Sequence, residues 1–394
     1  MKIVTVVGAR PQFIKAAAVS RAIAEYNAVA QDQNPTIYEV IIHTGQHFDE
    51  NMSDIFFDEM QIPRPDYHLE INSLGHGAMT GRMLEKIEEV LIKEKPDWVL
   101  VYGDTNSTLA GALAAKKLHI RVAHVEAGLR SFNIQMPEEI NRILTDRISD
   151  QLFCPTDTAV KNLQNEGFTI HDSLSTANYS PSTIHYPLVF KSGDVMQDAA
   201  LYYRKFASQK SSILEKLGLT QKQFALCTVH RAENTDDPER LRNIFDALIE
   251  ISTELPVVLP LHPRTRKELT DYGITIHNPR PTIHVIDPVG YFDMIQLLEH
   301  TKIVLTDSGG LQKEAFFFGK PCVTLREETE WVELVEGGYN ILAGADKYSI
   351  LSALLKMSSV SPDFSKDFYG SGQASKAIIA KIVINDTTIY KRTS

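Results

Sequence analysis

The sequence predicts an α/β protein of two Rossmann-like, doubly wound domains with a cleft between them. Three observations point there. Short apolar runs alternate with longer amphipathic segments, the signature of βαβ units in a parallel sheet. The alternation falls into two sets, one in each half of the chain. The length, 394 residues, is too great for one ordinary core and suits two.

In the first half the strand candidates are KIVTVVG, YEVIIHTG, DWVLVYGD, VAHVEAG and QLFCPT. Between them lie the helical patterns IKAAAVSRAIAEY, MTGRMLEKIEEVLIKE and STLAGALAAKKL. In the second half the strands are FALCTVH, VVLPLH, IHVIDP, KIVLTD and PCVTL, separated by ERLRNIFDALIEIST, YFDMIQLLEHT and LQKEAFFFG. The stretch HDSLSTANYSPSTIHYP at residues 171–187 is rich in Ser, Thr, Asn and Pro, lacks periodicity, and reads as the linker or a loop beside it. After Gly370-Ser371-Gly372 a last amphipathic helix, QASKAIIAKIVI, closes the chain. The expected division is therefore 1–187 plus 370–394, and 188–369.

The formal net charge is −10 and no polybasic block occurs, which argues against nucleic acid or an anionic membrane as the main partner. An anionic small molecule remains compatible, because it needs only local cations and helix N-termini. No apolar run approaches the roughly 18 residues needed to span a bilayer. The opening MKIVTVVGARPQ is interrupted by Arg10, Pro11 and Gln12, so it reads as a buried strand and not as a signal segment. Cys154, Cys227 and Cys322 are far apart, the pattern of reduced, buried thiols in a cytoplasmic protein, with neither a disulfide frame nor a zinc site.

Ligands of open parallel sheets bind beyond the C-terminal ends of the strands, so the polar residues there carry most information. In LTDSGGLQKEAFFFGKP a strand runs into Ser308-Gly309-Gly310 and a helix follows. Two glycines at a helix start let backbone N–H groups approach a diphosphate, and Glu314 one turn later can accept ribose hydroxyls. The plainer alternative is a glycine turn with Ser308 as N-cap. Neither GxGxxG nor GxxxxGK[ST] is present, so NAD and ATP are poor candidates and no cofactor is expected. Arg10 and Lys15 open the first helix; Arg10 can bridge diphosphate oxygens, while Lys15 alone reads as a surface cation.

Four residues suit acid–base work. Asp104 follows WVLVYG, with capping of the next helix as its alternative. Glu126 ends AHVE, where a carboxylate at the end of a buried strand is costly unless paired or used. Glu138 opens PEEINR and could simply answer the helix dipole. His230 ends CTVH, as a catalytic or a satisfied structural histidine.

The segments GARPQFIK, HTGQHFDENM, YGDTNSTLA, HVEAGLRS, PEEINR, VHRAENTD and LTDSGGLQKEAFFFGKP, in this order over nearly the whole chain, resemble the non-hydrolysing UDP-N-acetylglucosamine 2-epimerases. The resemblance implies a glycosyltransferase-B-like architecture, a homodimer, and a final helix that crosses back to the first domain. It implies catalytic roles for Asp104, Glu126, Glu138 and His230, and substrate contacts from Arg10, Lys15, Arg142, Ser308, Gly309, Gly310 and Glu314. Gln46, His47 and Arg82 match positions that form a second, activating site in some bacterial members. UDP-sugar substrate and UDP are the implied partners, without metal.

Three departures carry further information. Gln12 stands where many members have Glu, VHRAENTD replaces a GHRRE-like segment, and Trp331 in EETEWVELVE takes the place of an Arg. These resemble the subgroup acting on UDP-2,3-diacetamido-2,3-dideoxy-glucuronic acid, a precursor of surface polysaccharide such as O-antigen; UDP-N-acetylglucosamine is the runner-up. Rival classes are a hydrolysing epimerase, a glycosyltransferase of the same architecture, and a non-catalytic nucleotide-sugar sensor. The last two would not need the full acid–base set.

Overall fold

The computed structural model describes residues 1–29, 36–46, 60, 62–170, 187–220, 223–276 and 282–386. The chain divides into two compact units, Met1–Ala199 with Asp367–Ser394, and Ala200–Lys366.

The first unit holds a seven-stranded sheet in the order β3-β2-β1-β4-β5-β6-β7. Its strands are β1 (Lys2–Val7), β2 (Tyr38–His43), β3 (Tyr67–His68), β4 (Trp98–Tyr102), β5 (Arg121–Val125), β6 (Gln151–Cys154) and β7 (Leu188–Lys191). All described pairings are parallel. Alternate side chains of the inner strands, such as Val4, Val6, Val99 and Val101, share a core with Met83 and Ile87 of the helix His76–Glu94. The Ala-rich helix Asn106–Lys117 approaches the sheet closely: a Cβ on Gly111 would lie 3.2 Å from Val101 and Val6.

The second unit holds a six-stranded parallel sheet, β10-β9-β8-β11-β12-β13. Its strands are β8 (Ala225–Thr228), β9 (Val257–Pro260), β10 (Ile283–Ile286), β11 (Ile303–Thr306), β12 (Cys322–Thr324) and β13 (Asn340–Leu342). Ala225, Cys227, Val257, Leu259 and Leu305 line one face of the sheet, and Leu226, Val258 and Val304 the other. Burial on both faces is why these strands read as unbroken apolar runs and not as alternating ones.

The last helix, Ala374–Asn385, belongs to the first unit and packs on the helix Arg10–Val29. Its first turn lacks a cap of its own, and Asp198 supplies one by accepting from Ala374 N, Ser375 N and Ser375 Oγ. The expected boundary at 187/188 is corrected, because β7 pairs with β6 and extends the first sheet. The division falls instead after Ala199, inside the helix Val195–Lys210, and again after Lys366 in place of 369. Of the expected linker, residues 171–186 lie outside the described residues.

Cys154, Cys227 and Cys322 are free and buried, and burial pushes the Cys322 thiol up to about 12. Among the described residues no helix is long and apolar enough to cross a membrane.

Candidate active site

Strand order reverses between β1 and β4 in the first sheet and between β8 and β11 in the second. At such switch points the adjoining connections lead to opposite faces and leave a crevice at the C-terminal strand ends. The singled-out residues are divided between the two units, and each group is described within its own unit.

In the first unit Gln12 ties the β1 loop to the β4 loop. Its Oε1 accepts from Gly8 N at 2.8 Å and Ala9 N at 3.0 Å. Its Nε2 donates to the Tyr102 carbonyl at 2.7 Å and to the Thr105 and Thr108 hydroxyls, each at 3.0 Å. A glutamate could not donate to that carbonyl, which gives the departure at this position a physical reason. Gly8 is equally constrained: a Cβ there would overlap the hydroxyls of Ser107 and Thr44.

Glu126 follows β5 with a left-handed backbone, φ +72°, which is rare outside glycine. Its carboxylate forms an ion pair with Lys15 Nζ, and both side chains are buried. Lys15 is thus not the surface cation that its sequence position alone suggests. Arg10 begins the helix Arg10–Val29. Asp104 does not cap the helix Asn106–Lys117, because Thr105 does so in a capping box with Thr108. Instead Arg142 Nη2 donates to Asp104 Oδ2 at 2.6 Å. Arg142 Nη1 donates to Glu139 at 2.9 Å, and Glu139 also accepts from Ser131 N and Phe132 N, fixing the loop before its own helix, Pro137–Ile148. Glu138 lies in the first turn of that helix, half-buried, with no hydrogen bond or ion pair among the described residues.

Gln46 accepts from Ser107 N and Oγ, at 3.2 and 2.8 Å. Arg82 is exposed on the helix His76–Glu94, and His47 lies outside the described residues.

In the second unit Asp307, fully buried after β11, organises the segment after β8. It accepts from His230 N, Arg231 N and Asn234 Nδ2, and lies 3.3 Å from His230 Nδ1. Burial lowers the His230 pKa, and Arg231 adds to this; Asp307 opposes both without reversing them. The ring is therefore neutral near neutrality, as a proton acceptor must be. Ser308 caps the helix Gly309–Phe317 through Leu311 N, as the plainer reading of this residue expects. Glu314 accepts from Tyr291 Oη at 3.1 Å.

Three groups surround Gly309. A Cβ there would lie 3.5 Å from a Glu330 oxygen, 3.6 Å from Trp331 Nε1 and 3.9 Å from Arg231 Nη2. Trp331 is buried, with Lys313 Nζ over its ring at 4.2 Å. Arg264 is bound to Asp236 at 2.5 Å and Arg266 to Asp287 at 2.9 Å, both exposed, as a solvated basic turn would be.

Residues 29–383 match the family model described as UDP-N-acetylglucosamine 2-epimerase. The chain belongs to that family. An enzyme of the same class from Pseudomonas aeruginosa, a UDP-2,3-diacetamido-2,3-dideoxy-D-glucuronate 2-epimerase, is 54% identical over 96% of this chain and 98% of its own. A UDP-N-acetylglucosamine 2-epimerase from Methanococcus maripaludis is 43% identical over 96% of this chain and 97% of its own. The crystal structure of the Methanocaldococcus jannaschii enzyme in complex with UDP-GlcNAc and UDP superposes with a TM-score of 0.84 at 40% identity, covering 98% of this chain and all of that one. This chain is accordingly a UDP-sugar 2-epimerase of two-unit α/β architecture.

Sequence reasoning missed several members of the epimerase's two groups. Glu139 was hidden beside Glu138, and only its burial and its bonds to Ser131, Phe132 and Arg142 distinguish the two acids. Asp307 was visible as a strand-end polar residue, but its organising role depends on pairing with a segment 77 positions away. Arg231 follows His230 directly, and its approach to Gly309 has no sequence signal.

Proposed function

We propose that the protein inverts C2 of UDP-2,3-diacetamido-2,3-dideoxy-D-glucuronate by eliminating and re-adding UDP. The observation that carries the chemistry is Glu126, a buried carboxylate held at a strand end with φ +72° and facing a buried lysine. The substrate rests on the 54% identity to the Pseudomonas enzyme that bears this name. UDP-N-acetylglucosamine is the second reading, favoured by relatives at 43% and 41%.

The C2 proton has no adjacent carbonyl and is not acidic enough to leave alone. In the proposed reaction a base takes it as the C1–O bond to UDP breaks, which forms a C1=C2 double bond and frees UDP. The glycal is then protonated at C2 from the opposite face while a β-phosphate oxygen of UDP re-forms the C1–O bond. Acid and base groups are needed on both faces, and donors on the leaving diphosphate. We assign the proton transfers to Asp104, Glu126, Glu138 and His230. Substrate contacts are assigned to Arg10, Lys15, Arg142, Ser308, Gly309, Gly310 and Glu314. Gln46, His47 and Arg82 are the proposed second site.

The test is incubation of the pure protein with the UDP sugar in D2O, followed by NMR. Deuterium should enter at C2 as the epimer forms. Epimer without deuterium would overturn the elimination route. We further propose a cytoplasmic homodimer supplying surface polysaccharide synthesis; light scattering should give about twice the 44.2 kDa chain mass.

A further inference from the structure

We infer that a buried imidazolium–carboxylate dyad, His124 with Asp146, positions the backbone that carries the proposed catalytic carboxylates; this rests on the epimerase reading above. Both side chains are fully buried. His124 Nε2 lies 2.8 Å from the Gly103 carbonyl, and its Nδ1 lies 2.8 Å from Asp146 Oδ1. A carbonyl oxygen can only accept, so Nε2 carries a proton. The second proton lies between Nδ1 and Asp146. Asp146 also holds Arg130 Nη1 at 2.8 Å and accepts from Gly128 N at 3.2 Å, which favours its ionised form. The proton therefore resides on the ring, and His124 is a cation. Burial would push the Asp146 carboxyl up, but His124 and Arg130 outweigh it and hold it below its ordinary range.

Other charged groups adjoin the pair, among them Glu166, which also meets Arg147 at 4.0 Å. Arg130 Nε reaches Glu166 at 2.5 Å, so two cations and two anions alternate along the chain of contacts. Cys154 on β6 is kept neutral, because burial and Asp146 push its thiol well up.

The placement gives the dyad its role. His124 grips the carbonyl immediately before Asp104. Asp146 grips the amide of Gly128, two residues after Glu126. That glycine has φ +78°, and a Cβ on it would lie 2.5 Å from the Ala159 carbonyl, so the loop fits in one way only. Asp146 also sits on the helix Pro137–Ile148, which carries Glu138 and Arg142. One buried pair thus fixes three separate carriers of acid–base groups while touching none of those side chains. Displacing such groups by about 1 Å can cost roughly 10²-fold in rate, with little effect on ground-state binding.

The experiment has two readings. In wild-type protein labelled with ¹⁵N-histidine, the His124 ring, assigned by its absence in His124→Gln, should show both nitrogens protonated under the conditions of the activity assay. A neutral ring there overturns the dyad, and this reading needs no variant activity. In His124→Gln and Asp146→Asn, kcat should fall about 10–100-fold with KM within about threefold. Unchanged kcat, or a loss confined to KM, overturns the positioning role. If wild type epimerises no UDP sugar, the epimerase reading fails instead, while the ring spectrum still decides the charged pair.

Discussion

Glu126 holds φ +72° beside a buried lysine, and a non-glycine residue stays in that region only where its surroundings over-determine it, at a cost of about 1–3 kcal/mol. The Gln replacement keeps the size and removes the charge. With Asp104→Asn, Glu138→Gln and His230→Asn it should lower turnover about 10²–10⁴-fold, the scale of a lost general acid or base. Near-normal kcat in any one of them would return that residue to a structural role. His43, whose ring packs edge-on against Phe13 and His68, makes a different prediction. Burial first, and His68 second, lower its pKa from 6.5 to about 4. Above 6.5 the ring is neutral in both folded and unfolded chains, and stability is full. As pH falls from 6.5 toward 4, the unfolded chain takes up a proton that the folded chain refuses. Stability should then drop, by at most roughly 3 kcal/mol from this residue. Denaturant titrations of His43→Gln should show a shallower loss over the same range; an identical slope removes His43 as the cause. At this scale the sequence exposed the residues at strand ends but not their partners. Asp104 and Arg142 are 38 positions apart, and His230 and Asp307 are 77 apart. Pairings of that kind are set by strand order, which no local pattern encodes.

Ten strand segments were legible as apolar runs, and all ten are strands in the folded protein. The three missed, β3, β7 and β13, are edge strands of two to four residues. An edge strand is shielded on fewer sides, so its sequence need not be continuously apolar, and two residues carry no periodicity. β7 moved the domain boundary for the same reason. The final helix was legible from its amphipathic run, but its anchor was not, because Asp198 lies 176 positions before Ala374. Ile378, Ile379 and Ile382 are buried and stabilise its docking by about 1.5–3 kcal/mol each. Asp198→Ala leaves Ala374 N and Ser375 N without their acceptor in a buried setting. It should cost about 1–3 kcal/mol, seen as a lower denaturant midpoint, with faster amide exchange first in the last helix. Unchanged protection of residues 374–385 would show that packing alone holds the helix.

Across the whole molecule, similarity is spread over nearly every residue, while substrate choice must be decided by few. Identity of 54% to a diacetamido-glucuronate enzyme and of 43% to an N-acetylglucosamine enzyme both cover 96% of the chain, so coverage cannot discriminate between the two sugars. The departures can. Gln12 is committed to joining two loops through five hydrogen bonds, and Trp331 replaces a cation beside the helix that starts at Gly309. Both are buried in the segments after the strands and leave the strands unaltered, as expected of a specificity change on a constant scaffold. A site that pairs a C6 carboxylate leaves its donors unsatisfied when the substrate offers only a hydroxymethyl group. That penalty falls on the transition state as well as on binding. The diacetamido glucuronate should therefore exceed UDP-N-acetylglucosamine in kcat/KM by about 10²-fold or more, the scale of a lost charged hydrogen bond. Both sugars should exchange their C2 proton with D2O wherever they react, since the elimination is common to them. Side-by-side kinetics at one pH and one salt concentration decide the matter. Equal values, or a preference for the neutral sugar, would overturn the substrate assignment and leave the epimerase chemistry standing.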